Sequence, residues 1–388
     1  MCFDAGPGGV WTIHFRGGEV TLERGKSGKP TATLRTDPAT LIGILEGQIH
    51  GVEAFLDGRL VVRGNLVLPL ELDDLLHPRQ RDIRSPRCRR IQAGGVETFY
   101  LEAGPPDAPP VVMVHGLGAT SASFLPMLWD LARDHHVFAV DLPGFGESEK
   151  PVRRLHAAYY ARFLTAFLDA VKVPRAHLIG NSMGGRVALE VALRSPARVN
   201  RMVLLMPSLA WRRFRAGVRV VRWLRPELGV TPIPLLHPLV IRFIHTMFAH
   251  PERVAASAMS GAADEFLRYF ATPRGRIALF SAAREIYLEG PHGRRGFWSR
   301  LSTLSVPALF VFGEKDLLVP HRFRRYVQRA VPQSDFAFLE DCGHVPQFEL
   351  PEQTNRLTRD YLDRPDSRVV ASSHSPPREA HVSSGEQL

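Results

Sequence analysis

His177-Leu178-Ile179-Gly180-Asn181-Ser182-Met183-Gly184-Gly185 reads as a strand, a sharp turn and the start of a helix. The apolar run suits a buried strand, and glycines on both sides of Ser182 leave room for a tight backbone. In this G-x-S-x-G setting a strained turn lifts the serine hydroxyl over a sheet edge, so Ser182 is a candidate nucleophile. The helix that follows turns its first N–H groups and the positive end of its dipole toward the place where negative charge develops in acyl transfer. Such a serine needs a base, and the base needs an acid to orient it.

Both partners follow strand ends downstream. Ala308 to Phe312 runs into Gly313-Glu314-Lys315-Asp316, and Phe336 to Leu339 runs into Glu340-Asp341-Cys342-Gly343-His344. Loops at neighbouring strand ends of one sheet would bring Ser182, Asp316 and His344 together. His344 would take the serine proton, and Asp316 would fix its tautomer and stabilise the imidazolium. Val111 to Val114 leads into His115-Gly116-Leu117-Gly118, a glycine-rich turn that can aim a backbone N–H at the substrate oxygen. Leu117 and Met183 are the expected oxyanion donors, each worth roughly 3 kcal/mol of transition-state stabilisation. Asp141 also ends a strand, but Pro143-Gly144-Phe145-Gly146 after it reads as a structural turn, and His115 reads as a prop for the turn it precedes.

Short apolar runs at 99–101, 111–114, 137–140, 176–180, 202–205, 308–312 and 336–339 alternate with amphipathic stretches such as Tyr159 to Val171. This rhythm predicts an α/β fold, a mostly parallel sheet with helices on both faces and ligands at the strands' carboxyl ends. Ser208 to Arg300 interrupts the rhythm and must be inserted over that edge. It holds fifteen arginines against six acidic residues, which accounts for nearly all of the chain's net charge of +10. No nucleic-acid motif accompanies the charge, so nucleic acid is not an expected partner. Arginines instead alternate with Trp211, Phe214, Val218, Val221 and Leu224, a basic amphipathic pattern suited to peripheral contact with a membrane surface or an acidic amphiphile.

With 45% apolar and 23% charged residues over 388 positions, the composition is that of a folded protein with one large and one smaller domain. No uninterrupted apolar stretch reaches the roughly 18 residues of a membrane span, and the N-terminus lacks the pattern of a signal peptide, so a cytoplasmic location is expected. Cys2, Cys88 and Cys342 show no pairing or zinc spacing, and His237, His245, His250 and His292 show no metal-ligand spacing. With no phosphate loop or dinucleotide fingerprint either, neither cofactor nor metal is expected.

Residues 1–78 read as a separate α+β unit. Trp11, Ile13 and Phe15 alternate up to Gly17-Gly18, and Val20 and Leu22 resume the alternation, as in a hairpin. Asp37 and Pro38 open a helix that Gly47 closes, and a second helix near Val52 and a strand near Leu60 follow. Trp11 to Arg16, the run T-L-R-T-D-P-A-T-L at 33–41 and G-V-E-A-F-L-D-G-R-L-V-V-R-G-N at 51–65 resemble the sterol-carrier-protein-2 family. The resemblance implies an apolar tunnel for acyl chains or sterols, without catalytic residues. The family's first helix and first strand are not evident, so the resemblance is to a partial domain. Residues 79–88, arginine-rich with Ser85 and Pro86, read as a linker, and 364–388 as a disordered tail.

From Arg89 to Leu362 the chain resembles the α/β-hydrolase superfamily. The matching residues are V-H-G-L-G at 114–118, D-L-P-G-F-G-E-S at 141–148, G-N-S-M-G-G at 180–185, G-E-K-D at 313–316 and C-G-H-V-P at 342–346. By this resemblance residues 89–363 form the hydrolase domain, Ser182 is nucleophile, His344 base and Asp316 acid, and 208–300 is a cap over the pocket. Trp211, Phe214, Trp223 and Phe266 are the aromatics expected to line an acyl site, with Phe243, Phe248 and Phe270 also available. The implied reaction is hydrolysis of a carboxylic ester with an apolar, lipid-like acyl group, of the carboxylesterase or monoacylglycerol-lipase type. Carbon–carbon bond hydrolases of ring-fission products also carry G-N-S-M-G-G, but they place tryptophan after the catalytic histidine, where this chain has Val345. An acyltransferase and a non-catalytic lipid-binding protein are the further alternatives.

Overall fold

The computed structural model describes residues 1–16, 19–76, 82–210, 218–294 and 296–365. In the N-terminal unit the strands are β1 (Cys2–Asp4), β2 (Val10–Arg16), β3 (Glu19–Arg24), β4 (Ala32–Arg35) and β5 (Val61–Gly64), in the order β3-β2-β1-β4-β5. The alternating segment does form the β2–β3 hairpin, with Phe15 opposite Val20 and Ile13 opposite Leu22; its turn residues Gly17 and Gly18 lie outside the described residues. A strand unforeseen from sequence, β1, sits at the centre of this sheet, antiparallel to β2 and parallel to β4. At three residues it is too short for a periodic signal. The helix Pro38–Leu45 is capped as expected, the Thr40 N–H donating to Asp37 Oδ1 at 2.9 Å.

The larger sheet contains β6 (Arg87–Ala93), β7 (Val96–Ala103), β8 (Pro110–Val114), β9 (His136–Val140), β10 (Ala176–Asn181), β11 (Val199–Leu205), β12 (Ala308–Gly313) and β13 (Asp335–Leu339). Their order is β13-β12-β11-β10-β8-β9-β7-β6, parallel from β9 to β13, with β6 and β7 antiparallel at one edge. β6 begins inside the stretch that reads as linker, because Arg87 and Cys88 pair with Glu102 and Leu101. Every residue of β10 and β12 is buried, as covering on both faces requires. On one face the helix Ala157–Ala170 packs Tyr160, Phe163, Leu164 and Phe167 at helical spacing. On the other, Phe124, Leu128 and Leu131 pack with Tyr361 and Leu362.

Between β11 and β12 lie the helices Val218–Trp223, His237–His245, Ala256–Phe270, Pro273–Tyr287 and Phe297–Leu301. The N-terminal unit docks on them through β5. Arg63 Nε donates to Asp264 at 2.6 Å, the Gly64 N–H to Asp264 at 2.9 Å and the Leu66 N–H to buried Glu265 at 3.0 Å. An apolar cavity of about 60 Å³ in this unit is walled by Phe3, Leu34, Phe55 and Val62, and by Leu125, which opens the helix Leu125–Leu131 after β8. No helix among the described residues is long and apolar enough to cross a membrane. Residues 366–388, most of the expected tail, lie outside the described residues; Arg364 and Pro365 offer their carbonyls to Arg201.

Candidate active site

Ser182 stands between β10 and the helix Met183–Arg194 at φ 53°, ψ −113°. Such a backbone costs a non-glycine residue of order 1–3 kcal/mol and persists only where surrounding contacts over-determine it. Here the Ser182 N–H donates to the Leu205 carbonyl at 2.9 Å, and the Ser208 N–H donates to the Ser182 carbonyl at 2.8 Å. The flanking glycines are needed for close approach. A Cβ on Gly184 would fall 1.8 Å from the Val114 carbonyl oxygen, and one on Gly180 would fall 2.5 Å from the Gly184–Gly185 backbone.

Parallel register brings the ends of β10, β11, β12 and β13 level, so the loops holding Asp316 and His344 share one sheet edge with the elbow. His344 Nδ1 donates to Asp316 Oδ2 at 2.8 Å, with both residues about 4% exposed. Asp316 Oδ1 accepts from the Leu318 and Val319 N–H groups at 2.7 and 2.9 Å. Burial alone would raise the Asp316 carboxyl, but His344 and these N–H donors outweigh it and hold the group below its usual range. Asn181 ties histidine to elbow, its Nδ2 donating to the His344 carbonyl at 3.1 Å and to Leu205 at 3.2 Å. Among the described residues no hydrogen bond to His344 Nε2 is present.

Glu349 is a further member that motif reading missed. Only 3% exposed, it accepts from the Gly343 N–H at 2.7 Å and from the His250 N–H at 2.6 Å, while the His344 N–H donates to the Met247 carbonyl at 2.6 Å. One carboxylate thereby fastens the histidine loop to the inserted segment. An acidic residue five positions beyond a histidine carries no sequence signal for this. Beside it, burial and then Glu349 push the Cys342 thiol well up, so it stays protonated.

Near the elbow the turn after β8 closes through the Ala119 N–H to the Gly116 carbonyl, with Gly118 at φ 77°. A Cβ on Gly116 would meet Ser182 Cβ at 3.4 Å, so this turn faces the elbow directly. Among the described residues no backbone acceptor takes the N–H of Leu117 or Met183. His115 is fully buried, its Nδ1 donating to the Gly116 carbonyl at 2.8 Å and its Nε2 accepting from the Leu142 N–H at 3.0 Å. That arrangement requires a neutral ring, and burial lowers its pKa to about 4. Asp141 accepts from the Ser121 and Glu147 N–H groups with separate oxygens, at 2.6 and 2.8 Å, as a structural turn should.

Of the aromatics expected at an acyl site, Phe266 lies against the turn after β8. A Cβ on Gly118 would touch its ring at 3.2 Å, and it stacks on Phe270 at 5.5 Å. Trp223, expected to line the acyl site, is instead 78% exposed, because the short helix Val218–Trp223 presents Val221 inward. Trp211 and Phe214 lie outside the described residues.

Residues 109–351 match the α/β-hydrolase fold family, and residues 3–77 match the SCP-2 sterol transfer family. The chain belongs to the α/β-hydrolase family. It is 28% identical over 72% of its length to 70% of the dihydrolipoyllysine-residue acetyltransferase component of the acetoin cleaving system of Pseudomonas putida. It is 30% identical over 71% of its length to 91% of 2-hydroxy-6-oxo-6-(2'-aminophenyl)hexa-2,4-dienoic acid hydrolase of Metapseudomonas resinovorans. The structure of a bacterial membrane phospholipase A shares the fold, with a TM-score of 0.62 at 23% identity over 83% of this chain and 97% of that one. Proteins similar to this chain thus include meta-cleavage product hydrolases and esterases.

Proposed function

We propose that this protein is a serine hydrolase that cleaves carboxylic esters with an apolar, lipid-like acyl group. The observation that carries the reading is the buried Asp316–His344 pair on the same sheet edge as a serine held at positive φ. Ser182 Oγ attacks the ester carbonyl as its proton passes to His344 Nε2, and the charge on the carbonyl oxygen meets the Leu117 and Met183 N–H groups. The imidazolium, stabilised by Asp316, then protonates the leaving alkoxide, which departs as an alcohol and leaves an acyl-enzyme. Water activated by the same histidine releases the acid. Phe266, with Leu279 beside Gly118, supplies an apolar wall at the oxyanion turn. A second reading, hydrolysis of a carbon–carbon bond in a ring-fission product, is favoured by the similarity to the dienoic acid hydrolase.

Labelling with a fluorophosphonate probe tests the nucleophile: wild type reacts at Ser182, and Ser182→Ala does not. Unlabelled wild type would leave a non-catalytic binding protein. Turnover of a graded series of p-nitrophenyl esters beside a ring-fission dienone decides between the two hydrolytic readings, the dienone alone being consumed if the ester reading is wrong.

A further inference from the structure

Two sets stand out among the insertion's described arginines. Arg268 binds Glu147 at 2.6 Å, Arg276 donates to the Gly229, Phe270 and Ala271 carbonyls, Arg284 to the Val221 and Arg222 carbonyls, and Arg300 to buried Glu190. These fasten the insertion to itself and to the core. Arg222, Arg225 and Arg242 are exposed, and among the described residues none has a carboxylate partner. Between 218 and 246 the sequence holds four arginines and a single acidic residue, Glu227.

The same stretch exposes large apolar side chains. Trp223, Leu228, Val230, Leu236, Leu239 and Phe243 are each more than half exposed. The helix His237–His245 shows why this is not incidental. Val240 is buried and Ile241 and Ile244 pack on the core, while Leu239 and Phe243, four positions apart, are more than half exposed on either side of the exposed Arg242. A helix covering only a core would carry polar residues on that outer face. Exposed large apolar side chains recurring beside positive charge along one short stretch of chain point to a binding surface rather than ordinary scatter.

We propose that this face, Trp223 to Phe243, seats on an anionic lipid bilayer surface, with the aromatic and leucine side chains in the interfacial zone and Arg222, Arg225 and Arg242 among lipid phosphates. Charge selects this occupant. A second copy related by a twofold axis would set these unpaired guanidinium groups against each other with only Glu227 to compensate. The helix also ends two residues before Met247, whose carbonyl accepts the His344 N–H, so a docked membrane lies against the segment that fastens the candidate site.

Co-sedimentation of the full-length protein with phosphatidylcholine vesicles, with and without phosphatidylglycerol, tests this. Wild type should pellet with the phosphatidylglycerol vesicles and be released by salt. Replacing Arg222, Arg225 and Arg242 together by alanine should weaken binding about a hundredfold, near fivefold per arginine. Leu239→Glu with Phe243→Glu should abolish it while the circular dichroism spectrum is retained. Ser182→Ala should pellet like wild type, which separates binding from turnover. Failure of wild type to pellet, or equal pelleting of the glutamate variant, overturns the proposal. So does a wild-type dimer in light scattering that the glutamate variant converts to monomer.

Discussion

Replacing Asp316 by asparagine separates the acid's chemical role from its structural one. Asp316 Oδ1 is pinned by the N–H groups of Leu318 and Val319 at 2.7 and 2.9 Å, so the amide oxygen of an asparagine must take that position. The amide NH2 then faces His344 Nδ1, which now sits 2.8 Å from Oδ2 as a donor. Two donors cannot share that contact, and the ring turns to the tautomer with its proton on Nε2, which cannot accept from serine. The expected loss is about 10⁴-fold in kcat, roughly 5.5 kcal/mol of barrier, with KM little altered. Stability should change little, since both backbone donors keep their acceptor. Initial rates on the best p-nitrophenyl ester, with denaturant unfolding alongside, read both quantities. A kcat within tenfold of wild type would refute the assignment of Asp316.

Two other buried groups give separate tests. His115 has a folded pKa of about 4 against an unfolded value near 6.5, so the unfolded chain takes up its proton first as pH falls. Its contribution is complete above pH 6.5 and drains away toward pH 4, about 3 kcal/mol in all, and His115→Gln should flatten that limb of the stability profile. Identical profiles for the two proteins would show that the ring is not buried neutral. Glu349→Gln leaves either the Gly343 or the His250 N–H facing an amide NH2; a stability loss of about 2 kcal/mol and a lower kcat at similar KM are expected. No change in denaturation midpoint or kcat would remove Glu349 as the fastener of the histidine loop.

Local rules made much of the molecule legible. The elbow, the strand runs and the Asp37 cap depend on glycine clearance, side-chain period and a hydrogen bond three residues long, interactions that act within about one turn of chain. Successive strand ends also order Ser182, Asp316 and His344 along one edge, because parallel strands with crossover helices leave their loops on the same side. Glu349 was not legible because its meaning lies in the His250 N–H, 99 residues away. Nor was Trp223, since an apolar residue in a short basic helix reads the same whether it packs inward or meets solvent.

By itself, then, the sequence determined the α/β architecture, the elbow and the chain order of the candidate triad, all set by local period and backbone sterics. Tertiary structure alone decided that β1 enters the middle of the N-terminal sheet, that β5 docks on Asp264 and Glu265, and that His115 is neutral. It also decided which arginines of the insertion are spent on internal carbonyls and carboxylates and which, among the described residues, are exposed without a carboxylate partner. Burial and long-range pairing set these outcomes, and neither leaves a periodic mark along the chain.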